Sequence, residues 1–173
     1  MTLPDLGPLV RFDERLREVA VDPRAVEAAM REAMRVLDAA EEPDERLSVL
    51  TYAGNAARIL GRADESIALF RRALETADDE RAVAARIRLG EAYRCADRLD
   101  EAVRELEQAL ADARRAGAHL HYALQHLGKT LLDAGESARA VALLEEALEL
   151  RRTRGDAELI ESTEFALARA REG

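Results

Sequence analysis

Apolar residues recur along most of this chain at spacings of three and four, a pattern that predicts a succession of amphipathic helices. The pattern runs from about residue 44 to the end of the sequence and is broken only by short turns. All four prolines lie within the first 43 residues, at Pro4, Pro8, Pro23 and Pro43. Because proline interrupts helices, this distribution divides the chain into a leader at 1–43 and a helical array.

Within the array, three segments align with one another, beginning at Gly54, Gly90 and Gly128 and therefore spaced 36 and 38 residues apart. A period of this length is typical of stacked helical hairpins, in which each unit buries its apolar face only against its neighbours. The glycines carry no side chain, which allows the first helix of each hairpin to approach the second closely. Matched columns of the second helices form the predicted core, at Phe70, Leu106 and Leu144, at Ala73, Ala109 and Ala147, and at Leu74, Leu110 and Leu148.

The turns between paired helices carry residues suited to a left-handed backbone. Gly61 and Gly135 stand where a first helix is predicted to end, and Asp97 replaces glycine in the middle unit. Each second helix is then predicted to begin at an oxygen-bearing side chain that caps its free N–H groups. The predicted caps are Asp64, Asp100 and Ser137.

These columns resemble the tetratricopeptide repeat over about residues 47–154, as three units at about 47–80, 83–116 and 121–154. The resemblance implies an all-α fold, a right-handed α-α superhelix (solenoid) of stacked helical hairpins, that binds no cofactor. Ala57 and Leu131 depart from it, since the family often has tyrosine there, and Ser66 stands at an alanine column. The matching positions are Gly54, Gly61, Phe70 and Ala73, then Leu89, Gly90, Tyr93, Ala102 and Ala109, then Leu127, Gly128, Gly135, Ala140 and Ala147.

Additional helices are predicted on both sides of the repeats. Asp22 followed by Pro23 is a helix-start signal, and an apolar stripe continues from there to the break at Pro43. A shorter helix carrying Phe12, Leu16 and Val19 is expected before it. The two leader helices form either a cap or a degenerate fourth repeat, and residues 155–173 form a capping helix on the last hairpin.

Charge and composition exclude several classes of protein. The net charge of −9 disfavours binding to nucleic acid, because phosphate affinity depends on a basic surface. No apolar run approaches the roughly 20 residues that cross a bilayer, so no membrane association is expected. Cys95 is the only cysteine, which excludes an intrachain disulfide and fits a reducing, cytoplasmic environment. Partners of this chain are therefore expected among other proteins or peptides.

Residue patterns typical of catalysis or metal binding are missing from the sequence. It has no glycine-rich phosphate loop, no nucleophile motif and no pair of histidines one helical turn apart. His119, His121 and His126 cluster, but their separations do not match a metal site, and the acidic residues mostly lie opposite the apolar stripes. We therefore expect no enzyme activity, no catalytic residues and no metal.

The resemblance implies that the first helices of the hairpins form a concave groove. Four residues of this face are cationic and one is anionic, which suggests an acidic peptide segment or a C-terminal carboxylate as ligand. The alternative is an exposed arginine-rich face without a ligand, as expected for any highly charged protein. The predicted groove residues are Tyr52, Asn55 and Arg58, then Arg88, Glu91 and Arg94, then Tyr122, Gln125, His126 and Lys129.

Two functional hypotheses follow from the sequence. The first is an adaptor that binds a partner polypeptide in the groove, as a rigid scaffold. The second is a self-associating scaffold, a homo-oligomer formed through the leader helices or the C-terminal helix without a peptide ligand.

Overall fold

The computed structural model describes residues 3–172 and is 79% helical. A single-turn 3₁₀ helix at Gly7–Leu9 and two short strands, β1 at Val10–Phe12 and β2 at Glu18–Ala20, precede the α-helices. The helices are α1 at Pro23–Ala39, α2 at Pro43–Ile59, α3 at Ala63–Thr76, α4 at Asp79–Cys95, α5 at Leu99–Ala116, α6 at Leu120–Asp133, α7 at Ser137–Arg154 and α8 at Ala157–Glu172.

Helices pack in sequence order and form a right-handed superhelix of stacked hairpins, as the sequence predicts. The hairpins are α2 with α3, α4 with α5, and α6 with α7, while α1 packs on α2 and α8 packs on α7. Among the first helices, α4 contacts both α2 and α6 directly, and α8 contacts α6. No comparable contact joins α3, α5 and α7 within residues 3–172, so the layer of first helices forms the inner face of the curve.

Close approach within each hairpin depends on the repeated glycines, as predicted. A methyl group added at Gly90 would lie 2.5 Å from Cγ of Leu106. The equivalent distances are 2.8 Å from Gly54 to Phe70 and 2.7 Å from Gly128 to Leu144. Contacts this short are not tolerated, so only glycine allows the large second-helix residues to fill the space between the helices.

The predicted turn conformations are confirmed. Gly61, Asp97 and Gly135 adopt left-handed backbone with φ of 75°, 55° and 80°. At the first of these turns the Arg62 N–H donates to Ala57 O at 2.8 Å, which pairs a carbonyl left free at the end of α2.

The predicted N-terminal caps of the second helices are wrong by one or two residues. The N-cap positions are Arg62, Arg98 and Glu136, and none of them makes a side-chain capping hydrogen bond. Asp64, Asp100 and Ser137 lie inside the first turn instead, because the left-handed residue is followed by only one residue before the next helix begins. The acidic side chains at these positions still interact favourably with the positive end of the helix dipole.

In the leader, one predicted helix is confirmed and one is wrong. Asp22 caps α1 by accepting hydrogen bonds from the Arg24 and Ala25 N–H groups, with Pro23 at the first helical position. The expected helix carrying Phe12, Leu16 and Val19 is instead an antiparallel hairpin, in which Arg11 pairs with Val19 and Phe12 pairs with Glu18. The remaining assignment of the leader, as cap or degenerate repeat, stays a prediction.

The loop of this hairpin is organised by one aspartate. Asp13 accepts hydrogen bonds at 2.9 Å from the N–H groups of Arg15 and Arg17 and forms an ion pair with the Arg17 guanidinium. Burial alone would raise the pKa of Asp13, but its hydrogen bonds with Arg17 and the charge of that residue outweigh burial and lower it. A local turn signal therefore overrides the helix-like apolar spacing.

A helix follows Arg154, as the sequence predicts, and buries Thr163, Ala166 and Leu167 against the array. None of the helices in residues 3–172 combines the length and the apolar character needed to cross a membrane.

We predict that Gly90→Ala lowers the free energy of unfolding by about 1–2 kcal/mol, because overpacking against Leu106 outweighs the gain of about 1 kcal/mol from better helix propensity. Urea denaturation followed by circular dichroism measures the effect.

The matched control for this prediction is the double change Gly90→Ala, Leu106→Ala. The smaller side chain at 106 removes the clash, so the double change is expected to cost less than the sum of the single changes. Strictly additive losses would contradict the steric explanation.

Candidate functional site

The ten residues predicted to line the groove lie on α2, α4 and α6, the three first helices of the hairpins. Their accessibility differs strongly from that of an open groove. Arg58, Glu91, Arg94, Gln125 and Lys129 are all less than 9% exposed. Tyr52, Asn55 and His126 are partly buried, and Arg88 and Tyr122 are exposed.

Much of this burial arises from a charged network centred on Glu91. The carboxylate accepts a hydrogen bond from Arg94 Nη1 at 2.7 Å and lies 3.5 Å from Lys129 Nζ. His126 Nδ1–H donates to the other carboxylate oxygen of Glu91, Oε2, at 2.9 Å. One acidic side chain therefore neutralises cations from both α4 and α6 and ties two successive hairpins together.

This network sets the charge states of its members. Burial would raise the pKa of Glu91, but the charges of Lys129 and Arg94 hold it well below its ordinary value. Burial and the Lys129 charge lower the pKa of His126 to about 4, because two cations already compensate Glu91. At neutral pH, Glu91 is therefore ionised and His126 is neutral.

The N-terminal segment, defined here as residues 3–20, occupies part of the inner face. Glu18 forms an ion pair with Arg58 of α2, and Arg94 Nη2 of α4 donates to the backbone carbonyl of Arg15. Arg15 itself forms ion pairs with Asp97 at 2.8 Å and with Asp133 at 3.0 Å. The segment is thus held by charges on all three first helices or the turns that follow them.

Leu16 anchors the segment by an apolar contact. It is 9% exposed and belongs to the same core cluster as Val83 and Ile87 of α4. Its backbone is left-handed, with φ of 55°, which costs a residue with a side chain about 1–2 kcal/mol. Burial of a leucine contributes about 1.5–3 kcal/mol and so offsets this strain.

Polar contacts continue toward the start of the segment. The hydroxyl of Tyr52, one of the predicted groove residues, donates to Pro4 O at 2.7 Å. Sequence reasoning missed the segment, since Phe12, Leu16 and Val19 fit a helical stripe as well as a hairpin. Gly7, Pro8 and Asp13 are the turn-forming residues that could have indicated the hairpin.

A cavity of about 500 Å³ remains between the N-terminal segment and helices α2, α4, α6, α7 and α8. Eight of the ten predicted groove residues line it, while Tyr52 and Arg94 lie outside it. The sequence did not predict the contributions of Phe12, Arg151 or Leu159 to its walls.

Among residues 3–172, no group of three or more His, Cys, Asp and Glu side chains is arranged to hold a metal ion. Burial and the nearby Glu91 charge raise the pKa of the Cys95 thiol, which keeps this side chain protonated and unreactive. The inner face instead presents arginine N–H donors and side chains that bind backbone carbonyls of the N-terminal segment.

Residues 45–115 and 80–153 match the family model described as tetratricopeptide repeat. No curated protein matches the chain.

Several solved structures share its architecture. The TPR-like repeats of a Podosopora anserina kinesin light chain are 21% identical, with 85% of this chain and 78% of that chain covered and a TM-score of 0.66. BtubC from P. vanneervenii is 17% identical over 88% and 73% of the two chains, with a TM-score of 0.62. The apo form of RapI is 15% identical over 88% and 58%, with a TM-score of 0.73. At these identities the likeness concerns the fold alone.

Acidification is predicted to destabilise the protein through His126. Its folded-state pKa of about 4 lies below the ordinary value of 6.5, so the unfolded chain binds the proton more readily and stability falls as pH decreases between these values. We expect a loss of about 2 kcal/mol at pH 5 relative to pH 7 from this residue. Urea denaturation at a series of pH values measures it.

His126→Gln is the matched control, because glutamine retains an N–H donor for Glu91 but does not titrate. Its stability should change less than that of the wild type between pH 6.5 and 5. Parallel pH profiles for the two proteins would show that His126 is not the responsible group.

Proposed function

The chain belongs to the tetratricopeptide repeat family, and on that premise we propose that it is a non-enzymatic adaptor that binds a partner polypeptide along its inner face. The fold itself supports a general role in protein–protein interaction. The inner face is the surface that this proposal assigns to the partner.

The observation that carries the proposal is the polypeptide already present on that face. The N-terminal segment is bound there through its backbone, at the carbonyls of Pro4 and Arg15, and through its side chains, at Leu16 and Glu18. A surface that recognises backbone carbonyls, one apolar anchor and one carboxylate has the chemistry needed to bind a second polypeptide.

The bound segment also indicates what the partner contains. Arg58 interacts with the carboxylate of Glu18, and the neighbouring Arg88 has no carboxylate partner among the described residues. The Arg88 guanidinium lies close enough to Arg58 to feel its charge, so an acidic group placed beside Arg88 is stabilised by two cations. The proposed partner therefore presents an acidic residue close to an apolar one.

Partner binding and the N-terminal segment compete in this proposal. A tethered segment has an effective concentration in the millimolar range, far above that of a free partner. A partner therefore binds strongly only when it makes more contacts than the segment or when the segment is released.

The recognition step can be tested with the segment itself. A fluorescent peptide of residues 3–20 is added to full-length protein carrying Leu16→Asp, which weakens the internal copy by removing its apolar anchor. We expect the peptide to bind this variant and to bind the wild type at least about tenfold more weakly, since the wild-type segment blocks the site. Fluorescence anisotropy measures both affinities, and circular dichroism checks that the variant is folded.

The matched control is the same peptide with Leu16→Asp, which should bind neither protein well, because placing an aspartate where Leu16 is buried is unfavourable. Should Leu16→Asp unfold the protein, Glu18→Arg in the full-length chain loosens the segment through its charge instead. Equal affinity for the two peptides would contradict recognition by the inner face.

A further inference from the structure

The cavity next to the N-terminal segment is the part of the inner face that the segment leaves open. Its walls come from the segment, from α2, α4 and α6, from Arg151 of α7, and from Leu159 and Ser162 of the last helix, α8. Its volume of about 500 Å³ is within the range of about 300–1,000 Å³ that is typical of small-molecule sites. Phe12, Leu16 and Glu18 of the N-terminal segment form one side of the cavity.

Positive charge exceeds negative charge on these walls. Four cations, at Arg58, Arg88, Lys129 and Arg151, and two carboxylates, at Glu18 and Glu91, line the cavity. Glu18 is paired with Arg58, and Glu91 is paired with Lys129 as well as Arg94. Arg88 and Arg151 form no ion pair with any of the described side chains.

Arg151 is the more unusual of the two, since its side chain is only 2% exposed. Its Nη1 donates to Leu159 O at 3.0 Å and to Thr163 Oγ1 at 2.7 Å, and its Nε donates to His121 Nδ1 at 3.3 Å. These partners are all neutral, because burial and the Arg151 charge lower the pKa of His121 to about 4.

No acid in the described part of the chain therefore forms an ion pair with Arg151. Burial lowers the pKa of Arg151 to about 10, while Asp156 attracts it through space without forming an ion pair. The group stays protonated at neutral pH and carries a desolvated charge. Its Nη2 makes no hydrogen bond to a described residue, which leaves a donor for an anion.

Gln125 provides a second unused polar group. Its side chain lines the cavity, the residue is 3% exposed, and its Oε1 makes no hydrogen bond with the described residues. Buried carbonyl oxygens are almost always paired, so a ligand N–H or O–H would satisfy this acceptor.

Apolar side chains form the rest of the lining. Ile87 and Leu159 contribute aliphatic surface, and the Tyr122 ring lies 5.6 Å from the guanidinium carbon of Arg151. A purely inorganic anion would leave this surface unused. The walls thus suit a ligand with a charged end and an apolar body.

We propose that the cavity binds a small organic carboxylate that carries an amide N–H beside an apolar group. The carboxylate binds the guanidinium groups of Arg88 and Arg151, the N–H donates to Gln125 Oε1, and the apolar group packs against Ile87 and Leu159. An acylated amino acid has this chemistry, whether it is free or forms the end of a polypeptide. The site goes beyond the proposed adaptor function, because it takes a small ligand while the N-terminal segment still forms part of its wall.

N-acetyl-L-leucine is the first probe, and N-acetyl-L-leucinamide is its uncharged match. Isothermal titration calorimetry on the wild-type chain should show at least about tenfold tighter binding of the acid than of the amide, because only the acid compensates the two arginines. Thermal unfolding should show a higher Tm with the acid, since a ligand that binds only the folded state stabilises it. Equal binding of acid and amide, or no binding of either, would overturn the proposal.

A heptapeptide ending in leucine with a free carboxylate distinguishes the two sources of the ligand. Binding of both the heptapeptide and the acetylated amino acid assigns the site to polypeptide termini. Binding of the acetylated amino acid alone assigns it to a free metabolite-sized acid. Both results support the proposed chemistry.

Substitutions then localise the site. Arg88→Gln should weaken acid binding at least about tenfold without affecting folding, because Arg88 is exposed, whereas Arg72→Gln on the outer helix α3 should leave binding unchanged. Gln125→Leu should also reduce acid binding while keeping or raising the Tm of the free protein, since it removes an unpaired buried polar group. Unchanged acid binding in both cavity variants would place the acid elsewhere.

These experiments use the wild-type segment in its bound position, unlike the experiment with the peptide of residues 3–20. Failure of the acid to bind would therefore leave the adaptor proposal intact. Failure of the peptide to bind in trans would leave the cavity proposal intact.

Discussion

The structure depends on how closely the two helices of each hairpin approach. At Gly54, Gly90 and Gly128 the first helix lies so near a large second-helix residue that a single added carbon would overlap it. This distance fixes the thickness of every unit and allows the units to stack at a regular interval. The inner face, with its charged network and cavity, exists because the first helices are held side by side in this way.

Sequence reasoning succeeded where structure repeats. The glycine and leucine columns appear three times, which makes a chance similarity implausible. The left-handed turn at Asp97 follows from its alignment with Gly61 and Gly135 in the other two repeats. Sequence reasoning failed at Phe12, Leu16 and Val19, because this apolar spacing occurs in one segment and is not repeated. Their spacing fits a helix, and only tertiary contact with α4 and the loop formed by Asp13 decide in favour of a hairpin.

The site was predictable only in part, for a related reason. The alignment with the repeat family placed Arg58, Arg88 and Lys129 on first helices, but their burial depends on partners from distant parts of the chain, such as Glu18 and Glu91. Arg151 was missed, because it lies on a second helix and faces the cavity only through the way α8 packs on α7. No local sequence pattern indicates how α8 packs on α7.

The ion pair between Arg15 and Asp133 joins residues 118 positions apart in a fold whose other contacts mostly link neighbours. A linear array can lose its end units one at a time, since each depends only on the next. An ion pair between the N-terminal segment and the third hairpin opposes this stepwise unfolding from the ends. It also raises the mean sequence separation of the contacts in the fold. The chain is thus expected to unfold more cooperatively, and to fold more slowly, than an array of the same length without this ion pair.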